Sequence, residues 1–347
     1  MRVAMYYSNR DVRLAELPRP LVGAGELLVR VMASGICGSD VMEWYRRHKV
    51  PLVLGHEIAG EVVEVGPGLD RAPVPFEVGD RVVATHHVPC FACHYCLTGH
   101  ETVCDTLLHG THFEPGGFSE YLRLPAVNVR HGTWRLPADV SYEAGTFVEP
   151  LACVLRGQRL AGLRPAASVI VLGSGISGLL HINLAAALGA GLIVATDISE
   201  YRLANARRFG ADEIWRADTE VAARFRRINH GRGADLVVVC TSADRAMKQA
   251  LEVVGRGGTI LFFAPAMEKA VVPLSINDLF WRRDVTLTST YAGGPGDCVT
   301  ALELIRQKRV RVEEMITHRF GLADSGQGFR LVAEAADSIK VIINPQE

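Results

Sequence analysis

Two textures of apolar and polar positions divide the chain. Over the first 150 residues short apolar runs are broken at close intervals by Gly and Pro. The stretch 29–33 alternates apolar and polar positions, Pro18, Pro20, Gly23 and Gly25 punctuate its approach, and valines and glycines fill 58–84. Strands with tight turns fit this pattern, so the first part is expected to be mainly β. From Arg164 the pattern becomes apolar strand, glycine turn, helix and strand again. Strands are predicted at 168–172, 192–196, 235–240, 259–263 and 285–289, and helices at 179–188, 199–209, 218–229 and 243–254. Alternation of this kind predicts a six-stranded, doubly wound parallel sheet with helical crossovers. An amphipathic helix near 298–308 and a strand at 340–344 close the chain.

Composition narrows the class. A chain of 347 residues favours two domains, and 48% hydrophobic with 22% charged residues is ordinary for a globular protein. The formal net charge of −1 gives no general basic field for nucleic acid or anionic lipid. The longest apolar run, 179–195, is interrupted by His181, Asn183, Gly189 and Gly191, which argues against a membrane span. Met1 to Tyr7 lacks the apolar core of a signal peptide, so a cytoplasmic location is expected.

Of eight cysteines, four lie within fifteen residues: Cys90, Cys93, Cys96 and Cys104, spaced C-x2-C-x2-C-x7-C. Two-residue gaps let successive thiolates face one ion, and the fourth closes a tetrahedron. A site of four thiolates has no open position, so this lobe, about 88–106, is expected to hold a structural zinc. An iron–sulfur cluster of ferredoxin type would place the last Cys after three residues with Pro behind it. Here the gap is seven and Asp105 follows.

Gly173-Ser174-Gly175-Ile176-Ser177-Gly178 falls between a predicted strand and helix, and Asp197 ends the next strand 19 residues past Gly178. That is a dinucleotide-binding turn in its required context. Gly173 permits the turn, Gly175 admits the pyrophosphate to a helix N-terminus, and Gly178 lets the helix sit close on the strand. Asp197 suits the ribose hydroxyls and disfavours a 2′-phosphate, which predicts NAD over NADP. Arg202 bears on that preference or is a base on the helix surface.

Cys37, flanked by Gly35 and Gly38, and Gly55-His56-Glu57 supply sulfur, imidazole and carboxylate from separate segments; Glu149 adds another carboxylate. Together they suit a Zn²⁺ with an open position. The other histidines, among them His86 and His87, read as surface or core residues.

With these motifs in this order, the whole chain resembles the zinc-dependent medium-chain dehydrogenases, in particular their polyol, sorbitol-like branch. The anchors are Gly35-Ile36-Cys37-Gly38-Ser39-Asp40, Gly55-His56-Glu57 followed by Gly60 and Gly66, the four-cysteine lobe, Glu149-Pro150-Leu151-Ala152, and the glycine turn with Asp197. The resemblance implies a GroES-like β catalytic domain (1–151 and 291–347), a Rossmann domain (152–290), and an active site in the cleft between them. It makes Cys37 and His56 ligands of a catalytic zinc, Glu57 an adjacent acid that binds directly, acts through water or exchanges with substrate, and Glu149 a further ligand or near-ligand. Cys153 is the alternative to Glu149.

The resemblance also implies two zinc ions per chain, one catalytic and one structural, with NAD as cofactor. A homodimer or homotetramer and a small alcohol or polyol substrate are expected. In the implied reaction a secondary alcohol becomes a ketone and Ser39 takes the alkoxide's proton. Two departures concern substrate and proton path: Met42 stands where polyol enzymes often have His, and Thr290-Tyr291 where they have Arg-Tyr. Arg46, Arg47, His48 and Lys49 form either a solvated loop or a cleft edge suited to an acidic substrate. A threonine-type amino-alcohol dehydrogenase and a non-catalytic dinucleotide sensor are the alternative functions.

Overall fold

The computed structural model describes residues 1–69, 75–110 and 112–347. They form two compact units, Met1–Ala152 with Ala292–Lys308 and Val312–Glu347, and Cys153–Tyr291 with Arg309–Arg311.

The first unit is mainly β. A seven-stranded sheet runs in the spatial order Ile316–Gly321, Lys340–Asn344, Leu27–Gly35, Glu57–Val65, Arg81–Ala84 and Thr133–Arg135, with Tyr121–Leu124 also paired to Leu27–Gly35. A three-stranded sheet joins Asp11–Glu16, Arg2–Ser8 and Leu52–Val53. Alternate positions of the central strands face one core: Leu27, Val29 and Val31 pack with Ile58, Val62, Val82 and Leu122. A second cluster, with Ile36, Phe118, Phe329, Val341 and Ile343, lies under the loop that carries Cys37. Burying each such side chain contributes about 1.5–3 kcal/mol, so that loop rests on a firm base.

Register decides what meets at the end of this sheet. Gly35 pairs with Glu57, and Ile342 pairs with Gly35. Ile58 pairs with Ala84 in antiparallel register. Continued two residues past that pair, the same register sets His56 opposite His86.

The second unit is a six-stranded parallel sheet in the order Glu213–Arg216, Leu192–Asp197, Ser168–Leu172, Ala234–Val239, Val254–Phe262 and Thr286–Ser289. In sequence order this is 3-2-1-4-5-6, the doubly wound arrangement. The sequence pattern predicts no strand at Glu213–Arg216, whose four residues, Glu-Ile-Trp-Arg, carry little apolar pattern. Trp215 nevertheless anchors it, fully buried and edge-on to Phe225 at 6.4 Å. Among the described residues no helix is long and apolar enough to cross a membrane.

Candidate active site and metal centres

The four cysteines of the lobe converge. Cys93 Sγ lies 3.6 Å and Cys90 Sγ 3.9 Å from Cys96 Sγ. A tetrahedral ion with ~2.3 Å Zn–S bonds needs edges of about 3.8 Å, so the thiols already stand at the spacing the ion requires. Amide N–H groups point at the sulfurs: Cys93 N and Ala92 N donate to Cys90 Sγ, and Cys90 N donates to Cys104 Sγ at 3.4 Å. Burial raises the Cys104 thiol, but the amides of Cys90, Leu107 and Thr106 outweigh it and bring it down to about 6. A lowered thiol pKa suits a thiolate ligand.

A second set stands at the end of the seven-stranded sheet. Ligand atoms of Cys37, His56 and Glu57 all lie within 4.8 Å of one another. The Cys37 loop is fixed by its own turn: Cys37 N donates to Asp40 Oδ2 at 3.0 Å, Asp40 N donates to Cys37 O, and Ser39 N points at Cys37 Sγ at 3.5 Å. Gly55, at φ +100°, brings the chain into His56, and a Cβ there would stand 2.7 Å from Phe118 N. His56 Nδ1 is 3.5 Å from the fully buried Asp40 Oδ1, so a carboxylate backs the imidazole and orients its other nitrogen. Burial lowers the His56 pKa, yet Asp40 and Cys37 together hold it well above its ordinary value in the absence of an ion.

Two further residues complete this corner. Lys340 and Glu57 are each 1% exposed and form an ion pair, and Lys340 Nζ also donates to Ile36 O at 3.3 Å. Burial still raises the Glu57 carboxyl, with Lys340 and His56 opposing it. No motif marks Lys340; its one sequence signal is a lysine opening an otherwise apolar strand, Lys340–Asn344. Arg46 is the other. Its side chain is drawn inward, with Nη2 3.7 Å from Asp40 Oδ1 and Nε donating to Ser39 O. The solvated-loop reading therefore holds only for Arg47, His48 and Lys49, which are exposed.

Glu149 reaches the same corner from a helix. It lies in the helix Val148–Leu160, and its Oε1 is 3.0 Å from His87 Nδ1. His86, His87 and Glu149 form a third set with ligand atoms within 4.8 Å of one another, and the Glu149 charge also acts on Glu57. His86 lies between the two groups, with ring centroids 4.8 Å from His56 and 3.7 Å from His87. These two histidines, read from sequence as ordinary surface or core residues, thus belong to the site. A His-His pair directly after the strand Arg81–Ala84 was their signal. Among the described residues Cys153 belongs to none of the three sets.

In the second unit the glycine turn has the expected form. Gly173 adopts φ +96°, and a Cβ on Gly178 would fall 2.0 Å from Gly173 O, so only glycine lets the helix Ile176–Ala187 approach its strand. With Gly175 as cap, the first amides of that helix have no side-chain acceptor and are left for an anion. Asp197 accepts from Ser174 N at 2.8 Å and Ser199 N at 2.9 Å, which pins its carboxylate beside the turn. Arg202 stands over it: a Cβ on Gly175 would lie 3.8 Å from Arg202 Nη1. An apolar cavity of about 330 Å³ opens beside the carboxyl ends of two neighbouring strands, lined by Val239, Thr241, Phe262 and Ala264.

A doubly wound sheet with a dinucleotide turn, a four-cysteine lobe and a mixed sulfur–nitrogen–carboxylate centre define a metal-binding dehydrogenase. Residues 23–133 match the alcohol dehydrogenase GroES-like domain, and residues 177–307 match the zinc-binding dehydrogenase domain. The chain is 31% identical over 344 residues to L-threonine 3-dehydrogenase of Bacillus licheniformis, covering 95% of this chain and 94% of that one. It is 29% identical to sorbitol dehydrogenase of Gallus gallus, covering 96% and 93%. A solved zinc-binding dehydrogenase of Sinorhizobium meliloti, bound to NADP, superposes with a TM-score of 0.87 at 25% identity, covering 99% of both chains. The chain belongs to the zinc-dependent medium-chain dehydrogenase family and is an oxidoreductase of that family, polyol dehydrogenase-like.

Proposed function

We propose that this enzyme reversibly oxidises a secondary alcohol of polyol type to a ketone, with NAD as hydride acceptor. It works on one catalytic and one structural zinc per chain. The observation that carries this reading is the convergence of Cys37, His56 and Glu57 with the buried Asp40 behind His56. When bound there, Zn²⁺ supplies Lewis acidity that lowers the pKa of the alcohol, and the nicotinamide accepts the hydride.

The chain's own groups do the rest. Cys37 and His56 hold the ion, and Asp40 fixes the His56 ring. Glu57, paired to Lys340, is kept as a nearby acid that is free to bind or leave the ion. Ser39, half-buried beside Cys37, receives the hydroxyl proton. Cys90, Cys93, Cys96 and Cys104 have no open position and serve the fold. Gly173, Ser174, Gly175, Ile176 and Gly178 take the pyrophosphate, Asp197 takes the ribose, and Arg202 adds positive charge beside it. The charge on Asp197 favours NAD over NADP. The enzyme acts in the cytoplasm as a homodimer or homotetramer, which sedimentation of the purified protein tests.

A panel of sorbitol, inositol, glycerol and threonine, each with NAD⁺ and NADP⁺, tests the reading. Turnover of a polyol with NAD⁺ supports it. The likeness to L-threonine 3-dehydrogenase favours an amino-alcohol as the second reading, and turnover of threonine alone would establish that one instead. In the same panel His56→Ala should abolish turnover while leaving the fold intact.

A further inference from the structure

Positive charge gathers beside the Cys37 loop with little acid to meet it. The one-turn helix Glu43–Arg46 turns Arg46 toward that loop, where Nε donates to Ser39 O at 3.2 Å. Its nearest acid, Asp40, is fully buried, stands 3.7 Å from Nη2, accepts from Cys37 N and backs His56. Among the described residues Arg46 Nη1 has no acceptor. Lys49 returns to the same place: its Nζ stands 4.0 Å, and Arg46 Cζ 5.0 Å, from the centroid of the Tyr45 ring. Glu43, the one acid between Val41 and Lys49, is turned away and accepts from Asn9 N at 2.8 Å. Among the described residues Lys49 has no carboxylate partner. His112 brings a third basic group from a distant segment. Partial desolvation, then Lys49, His109 and His87, hold its pKa below the ordinary value. The charges of His112 and Arg46 also both act on His86, so the cluster borders the metal corner.

We propose that Arg46, Lys49 and His112 form an oxyanion subsite, and that the alcohol oxidised here carries a carboxylate or phosphate away from its reacting hydroxyl. This rests on the dehydrogenase reading and names the substrate class within it. Arg46 holds Ser39, the residue that takes the hydroxyl proton, by its backbone oxygen, so the subsite adjoins the reacting end. A guanidinium edge suits the oxygens of either anion. Lys49 adds an ammonium on a flexible stem, and His112 adds an imidazole N–H. Both are exposed, so they can draw in an anion from solvent. An anion between Arg46 and Lys49 also offsets the repulsion of two cations held over one ring.

The test compares sorbitol with D-gluconate and sorbitol 6-phosphate, each with NAD⁺ and the zinc-loaded enzyme. At least one of the two anions should exceed sorbitol in kcat/KM by about 10-fold, the worth of one charge-assisted hydrogen bond. Which anion gains tells a carboxylate substrate from a phosphate one, and the gain should shrink as salt is added. Lys49→Gln should lower the anion-to-sorbitol ratio by about 10-fold. Arg46→Lys keeps the charge but loses the planar fork, and should lower the ratio too. The ratio cancels any loss that falls on both substrates, and zinc content of each variant verifies the fold. Wild-type crystals soaked in selenate and read by anomalous diffraction should show a peak between Arg46, Lys49 and His112. Equal kcat/KM for sorbitol and both anions, or a preference that Lys49→Gln leaves intact, overturns the proposal while the dehydrogenase reading stands. If none of the three compounds is turned over, the soak decides: no selenate on these side chains overturns the subsite. The dehydrogenase reading itself fails only if the whole alcohol panel and both anions show no turnover.

Discussion

Replacing Lys340 with Met tests the electrostatics of the catalytic corner. Met fills a similar volume but removes the cation paired with Glu57, where both partners are 1% exposed. Breaking one side of a buried pair costs about 3–5 kcal/mol when the remaining charge stays ionised. Glu57 has a way out: it takes up a proton. Starting from an unfolded value near 4.3, that costs about 3.7 kcal/mol at pH 7 and falls by about 1.4 per pH unit. The deficit is therefore capped near 3.7 kcal/mol at pH 7 and should shrink to about 1 kcal/mol at pH 5.

The sign follows from proton counting. Burial already raises the Glu57 carboxyl, and loss of Lys340 raises it further. The folded variant then binds more protons than its unfolded chain, so its stability rises as pH falls toward the unfolded value. Urea denaturation of zinc-loaded wild type, Lys340→Met and Lys340→Met/Glu57→Gln, each at pH 7 and pH 5, measures this. The double variant should regain at least half of the pH 7 deficit. A deficit below about 1 kcal/mol at pH 7, or one that does not shrink on acidification, refutes the reasoning.

Cys104→Ser should release the lobe's zinc and lower solubility, because apparent binding energies of about 10–16 kcal/mol make such a site part of the fold; metal analysis and thermal melting check it. Asp40→Asn keeps the shape but removes the charge behind His56, so zinc affinity at the catalytic set should drop by roughly 10–100-fold in competition with a chelator. Asp197→Ala should narrow the ratio of kcat/KM for NAD⁺ over NADP⁺; an unchanged ratio would mean that Asp197 does not set it. Gly178→Ala should abolish cofactor binding or misfold the second unit, since its Cβ would meet Gly173 O at 2.0 Å.

What the sequence disclosed and what it hid have one physical cause. The four-cysteine lobe and the glycine turn are local: their residues lie close along the chain, so spacing alone states the geometry. Cys37 lies between Gly35 and Gly38, and His56 follows Gly55, so glycines mark the tight turns that present both. Glu213–Arg216 was passed over because four half-polar residues carry no period, although Trp215 holds the strand in place. Lys340 was hidden by distance, since it meets Glu57 across 283 positions and only sheet register unites them.

Register also explains what surrounds Glu149. Its motif named its chemistry but not its neighbours. The pairing of Ile58 with Ala84 is what carries the His86–His87 pair to the metal corner. Once that pairing is fixed, two imidazoles must arrive beside His56, and a carboxylate from the helix Val148–Leu160 meets them. The same sheet end thus brings Cys37, His56 and Glu57 together with His86, His87 and Glu149.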